Sequence, residues 1–121
     1  MMEPTDATTT DDWPAELDAM TAAPSHHTVL FENERVRVLD SVVRPGDETP
    51  VHTHGWPAVL YLLSTSDFLR FDAKGNTIFD SRASDSDVKP GTSIWSPPLA
   101  PHFVGNVGDT DIRVISIELK D

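Results

Sequence analysis

The chain has 121 residues, a formal charge of −11 at neutral pH and no cysteine. One domain is expected at this length, and the missing thiols exclude cysteine catalysis, iron–sulfur clusters and cysteine zinc sites. Excess acid argues against a nucleic-acid partner, which would demand clustered Lys and Arg; solubility is the simpler reading of the charge.

Met1 to Asp6 carry acid where a secretory leader needs base, and no run approaches the roughly 18 apolar residues of a membrane helix. A cytoplasmic protein without a membrane partner is therefore expected. Residues 1 to 10 are Thr- and Asp-rich with nothing to bury, so a flexible acidic tail is expected there. Asp11-Asp12-Trp13-Pro14 reads as a helix start, with an aspartate cap and an early proline, and Trp13, Leu17 and Met20 fall on one face. Pro24 ends this short helix, so residues 1–24 form an appendage and 25–121 the domain.

From residue 26 the pattern changes to short β-rich runs separated by turn signals. The predicted strands begin at His27–Glu32 and Arg35–Val43, broken at Pro45-Gly46, and continue with Val51–His54, Ala58–Leu63 and Asp67–Phe71. Thr77–Phe79 follows a hairpin turn at 73–76, and 81–87 is a polar loop. Thr92–Ser96, His102–Asn106 and Ile112–Leu119 complete the series. Many short strands without intervening helices predict an all-β sandwich or barrel.

The chemistry centres on Val51-His52-Thr53-His54. Side chains alternate along a strand, so His52 and His54 project to one side and can share a small target such as a metal ion. The adjacent His26 and His27 point to opposite faces and read as structural or surface residues. Trp56 and Trp95 flank the candidate segments and, with Ala58, are candidates for the wall of a pocket, although plain barrel packing explains the tryptophans as well. Parity turns Tyr61 and Phe103 away from the histidines. Asn106 is expected to tie down the turn before Gly108. Arg35, Arg37 and Arg44 read as solvated strand positions, with an anionic substrate as the alternative partner.

Two blocks carry a family resemblance. Gly46, His52 and His54 match Gly–five residues–His-x-His, and Gly91, Pro97, His102 and Asn106 match the frame of a second block. Over about residues 28 to 119 the chain resembles a small single-domain cupin, close to the three-histidine metal cupins and the stand-alone β-alanine-degradation-type cupins. It departs from the pattern where Ala58 stands for the motif glutamate, Thr65 for the closing glycine and Leu99 for the middle glycine.

The resemblance implies a jelly-roll β-barrel with His52, His54 and His102 as ligands to one divalent metal per chain, Fe(II) ahead of Zn, Ni or Mn. With Ala58 unable to ligate, the implied site has three neutral imidazoles and leaves the ion its full +2 charge, which suits anionic, chelating substrates. Asp47 or Glu48 is the alternative source of a fourth ligand. The implied function is a mononuclear non-haem Fe(II) dioxygenase acting on a small anionic or dicarbonyl-like substrate. The alternatives are a non-catalytic metal- or small-ligand-binding cupin and a Zn- or Ni-dependent isomerase or hydrolase. A homodimer is also expected from the resemblance.

Overall fold

The computed structural model describes residues 13–84 and 88–120. Nine strands form two antiparallel sheets. They are β1 (His27–Glu32), β2 (Val36–Val43), β3 (His52–His54), β4 (Ala58–Ser64), β5 (Phe68–Asp72), β6 (Thr77–Asp80), β7 (Ser93–Ser96), β8 (Leu99–Asn106) and β9 (Ile112–Leu119). One sheet has the order β1-β2-β9-β4-β7 and the other β3-β8-β5-β6. The all-β jelly-roll expectation is met, with strand limits within about three residues of those read from the sequence. Among the described residues no helix is long and apolar enough to cross a membrane.

Alternation fixes what faces inward. Leu39 and Val43 of β2, Ala58 and Leu62 of β4, and Ser116 and Glu118 of β9 are buried between the sheets. Arg37 shares their parity and is buried too, so its expected solvated position is corrected. In the run 35–39 the arginine at 37 faces inward and Val36 and Val38 face outward, because an inward carboxylate awaits Arg37 at Glu118 across the β2–β9 pair.

The N-terminal segment also differs from expectation. A single helix over 11–20 is replaced by a 3₁₀ turn at Ala15–Leu17 and a four-residue helix, α1 (Ala19–Ala22). Asp18 separates them with an extended backbone (φ −52°, ψ 142°) and caps α1 by accepting a hydrogen bond from the Met20 N–H at 3.1 Å. Asp11 and Asp12, the expected cap, lie outside the described residues. Residues 18–23 are not a loose appendage: Ala19 and Ala23 are fully buried, and Asp18 bridges to Thr53.

Two turn glycines of the sequence pattern are required by backbone conformation. Gly46 (φ 80°) and Gly91 (φ 88°) occupy the left-handed region, which side chains with a Cβ rarely adopt. Asn106 secures the neighbouring corner as expected. Its amide donates to the carbonyls of Val43 and Thr110, and its oxygen accepts from the Gly108 N–H and the Ser66 hydroxyl.

Asn106→Ala leaves two carbonyls without that donor in a 2%-exposed position, and should cost about 2–4 kcal/mol. Urea denaturation showing a loss below about 1 kcal/mol would contradict this account.

Candidate metal centre

Four histidines meet on the inner face of the barrel. His27 opens β1, His52 and His54 lie on β3, and His102 lies on β8 directly opposite His52. One ring nitrogen from each of His27, His52 and His54 lies within 4.8 Å of the others, a grouping that can hold a metal ion. The His102 ring adjoins this group, its centroid 4.5 Å from that of His52 and 5.9 Å from that of His54.

The structure therefore adds His27, which had been read as structural. The two-faces argument for His26 and His27 is right, but the inward member is His27. It is 5% exposed, and its ring centroid is 4.9 Å from His52 and 5.3 Å from His54. His26 turns outward to Asp47 (2.8 Å). That pairing places Asp47 away from the cluster, and Glu48 bridges instead to Gly105, so neither loop acid joins the histidines.

Each ring is held from behind. The Nδ1 of His27 meets the Ala23 carbonyl at 2.9 Å, that of His52 the Pro50 carbonyl at 2.8 Å, and that of His102 the Ala100 carbonyl at 2.7 Å. His54 Nδ1 meets Glu118 Oε2 at 3.0 Å. Carbonyl and carboxylate oxygens only accept, so each Nδ1 carries the proton and donates it. In the neutral ring this leaves Nε2 with the lone pair, the tautomer that a metal-ligating histidine needs.

Glu118 is the centre of the supporting layer. It is fully buried, accepts from His54 through one oxygen and from Arg37 Nε through the other at 2.5 Å. Arg37 then donates through both terminal nitrogens to Asp18 at 2.9 and 3.0 Å. Burial pushes the Glu118 carboxyl up, but the bonds from His54 and Arg37 outweigh it and hold the group below the usual carboxylate range. Arg37 is likewise held above its ordinary value: burial opposes the charge, and Asp18 and Glu118 more than offset it.

The absent carboxylate at Ala58 has a geometric counterpart, since Ala58 and Glu118 are direct partners across β4 and β9. Glu118 does not act as a ligand here, because both of its oxygens are committed to His54 and Arg37.

Trp56 lines the cavity beside the cluster and stacks between the Arg37 guanidinium (4.9 Å) and the Lys120 ammonium (5.3 Å). Ala58 also lines it. Trp95 does not: it is 60% exposed, because its neighbour Ser96 takes the inward position opposite Ala58. Tyr61 faces outward as parity required, and Phe103 stacks on Phe71 away from the histidines (4.6 Å). The cavity has a volume of about 840 Å³ and is lined by the four histidines together with Leu60, Leu62, Phe79 and Arg70.

Burial, reinforced by neighbouring histidines, lowers His27 and His102 to about 4 and His52 to about 2, from an ordinary value of 6.5. At neutral pH these rings are unprotonated and available as donors. The unfolded chain binds these protons from about pH 6.5 downward, whereas the folded chain refuses them until about pH 4 or below.

Stability of the metal-free protein, complete above pH 6.5, should therefore fall between pH 6.5 and 4, by up to about 1.4 kcal/mol per pH unit for each ring. Denaturation midpoints across this range check it, and His52→Gln should flatten the slope. Glu118→Ala, which strips Arg37 and His54 of a buried partner, should cost about 3–5 kcal/mol; an unchanged urea midpoint would refute the supporting role.

Comparison with known proteins supplies a fold and no activity. No family model matches the chain. An uncharacterized protein of Methanocaldococcus jannaschii is 21% identical over 89 residues, which cover 74% of this chain and 64% of that protein, so the chain spans about two-thirds of the curated relative it matches. Among solved structures, a cupin domain from Bordetella pertussis Tohama I superposes with a TM-score of 0.63 at 29% identity, covering 78% of this chain and 92% of that one. An RmlC-like cupin with a double-stranded β-helix fold from M. jannaschii gives 0.55 at 13% identity over 77% of each chain. The polyketide cyclase RemF of Streptomyces resistomycificus gives 0.55 at 24% identity, covering 100% of this chain and 81% of that one.

Proposed function

We propose that this chain, a small single-domain protein of the cupin fold, binds one divalent metal ion through His27, His52, His54 and His102 and uses it on a small anionic, chelating substrate. The observation that carries this reading is the arrangement of the four Nδ1 atoms. Each donates to an acceptor behind its ring, so Nε2 is the nitrogen that each ring can offer to an ion. Nothing in simple packing calls for four desolvated imidazoles side by side with their tautomers fixed alike. A shared cation accounts for the arrangement.

Ligand chemistry narrows the ion to those that suit imidazole, namely Fe, Zn, Ni or Cu. Four neutral donors leave a divalent ion its full +2 charge, which favours an enolate, a dicarbonyl or a carboxylate as ligand. Fe(II) is the proposed ion and dioxygenation the proposed reaction. When bound, a ferrous ion supplies Lewis acidity toward an anionic substrate and one-electron chemistry toward O₂.

The protein's part is positioning and exclusion of water. Glu118 fixes the ring of His54, Arg37 and Asp18 fix Glu118, and the Trp56 ring packs against Arg37. A homodimer belongs to the same proposal. β1 is the outer strand of its sheet and exposes Leu30 and Phe31, each 55% accessible; a one-chain mass by light scattering would reject it.

Elemental analysis of the purified protein should find about one divalent ion per chain, with occupancy lost in His52→Ala and His54→Ala and affinity lowered at least about tenfold in His27→Ala. Protein that takes up no metal even after loading sinks the reading. Iron-loaded protein should then consume O₂ with a substrate from a panel of β-diketones, thiol-carboxylates and aromatic acids, and His102→Ala should abolish that uptake. Turnover without O₂ loss would replace dioxygenation by non-redox metal chemistry and leave the metal site in place.

A further inference from the structure

Among the described residues, two buried side-chain nitrogens lack a hydrogen-bond partner: His26 Nδ1 and Arg70 Nε. The second lies in the cavity. Arg70 is on β5, opposite Val104 of β8 on one side and Phe79 of β6 on the other. It shares its inward parity with Phe68, and both line the same cavity as the histidines.

A buried guanidinium is ordinarily paired, because removing it from water without a counter-charge is costly. The other inward arginine shows the ordinary case: Arg37 has two carboxylates. Arg70 is half-buried with its Nε enclosed; among the described residues no carboxylate partners it, and burial pushes its guanidinium below the ordinary value. Asp67, the acid of the same strand region that reaches the cavity, is held by the Ser81 hydroxyl at 3.0 Å. Val104 and Phe79 flank Arg70 in register, and Phe68, Leu60 and Leu62 line the same cavity.

We propose that Arg70 is the carboxylate-binding residue of the cavity, and that the ligand is a small monocarboxylate with a flat apolar body packed between Phe68, Phe79 and the leucines of β4. The guanidinium fork offers paired donors that match a carboxylate, a geometry a lysine cannot reproduce. Placement supports a ligand that reaches from Arg70 to the histidines. His102 pairs with Asp72, two residues from Arg70, so Arg70 and His102 are diagonal neighbours on one sheet face, a separation of about 7–8 Å between Cα atoms. A carboxylate held at Arg70 sets the far end of a one- or two-ring molecule beside the histidines.

The inference deepens the functional reading by naming its substrate class, but binding at Arg70 does not itself need the metal. Isothermal titration of the full chain with 2-naphthoate, and with neutral 2-naphthamide of the same shape, tests it without catalysis. Both titrations are run on metal-loaded and on EDTA-treated protein. Naphthoate should bind at least about tenfold more tightly than the amide in both states, since the charge-assisted pairs are lost in the amide. Arg70→Gln should remove the preference while leaving naphthamide affinity within about twofold, and Arg70→Lys should restore only part of it.

Equal affinities for acid and amide in the wild-type protein would overturn the proposal with no variant needed. A preference present only in the metal-loaded state would also overturn it, because the ion would then be holding the anion. A preference that survives EDTA in a protein that never takes up metal would uphold Arg70 and defeat the metal reading instead.

Discussion

His27, His52 and His102 can share one buried space only while they stay neutral. A proton on any of these three would be a desolvated charge facing the neighbouring rings, and desolvation in a low-dielectric interior is the largest cause that lowers them. The backbone around the site obeys this constraint. Ala23, Pro50 and Ala100 each turn a carbonyl toward an Nδ1, so three of the four tautomers are set by main-chain atoms that mutation cannot easily remove. The segment before β1 belongs to the site for this reason. Ala23 is the residue after α1, and its placement depends on the packing of that helix against β1 and β3.

The fourth tautomer depends on side chains. Glu118 holds His54, Arg37 neutralises Glu118, and Asp18 completes the valence of Arg37 with two further bonds. This chain of charge links the N-terminal segment, β2, β9 and β3 at one end of the barrel. Buried ion pairs of this kind often contribute little net stability, because desolvation offsets the attraction. Here every polar atom in the relay is matched, so its effect is to fix an orientation: the His54 ring cannot rotate without leaving a buried carboxylate oxygen bare.

Much of the barrel was legible because its strands keep period two between turn signals, and because Gly46, Gly91 and Asn106 have local backbone reasons to be where they are. The site was legible only in part. His52 and His54 announce themselves by spacing, and His102 by its Gly–Pro frame. His27 gave no such signal: its neighbour His26 carries the same side chain, and which of the two faces inward is settled by pairing with β2, where His27 stands opposite Ser41, fourteen residues along the chain. Arg37 and Glu118 were hidden by the opposite ambiguity. In Arg35–Leu39 and Ile112–Leu119 apolar residues occupy both faces, so the pattern does not mark an inward charge. Only the register Arg37↔Glu118 makes each the reason for the other. Trp95 was misplaced by the same one-residue margin, since Ser96 takes the inward place.

The substitution at position 58 gains a different meaning from these contacts. A glutamate there would stand across the β4–β9 pair from Glu118, placing two carboxylates on one inner face where Arg37 is already shared between Glu118 and Asp18. Like charges at directly opposed positions destabilise a sheet, and burial makes the penalty larger. The methyl group of Ala58 removes that conflict and leaves Glu118 free to serve His54 from behind. The negative charge is thus kept near the histidines but moved from the face that would meet an ion to the face that orients a ligand. A cation held by the four rings would keep its charge for a substrate anion, and the guanidinium of Arg70, a diagonal neighbour of His102 in the same cavity, answers the same demand.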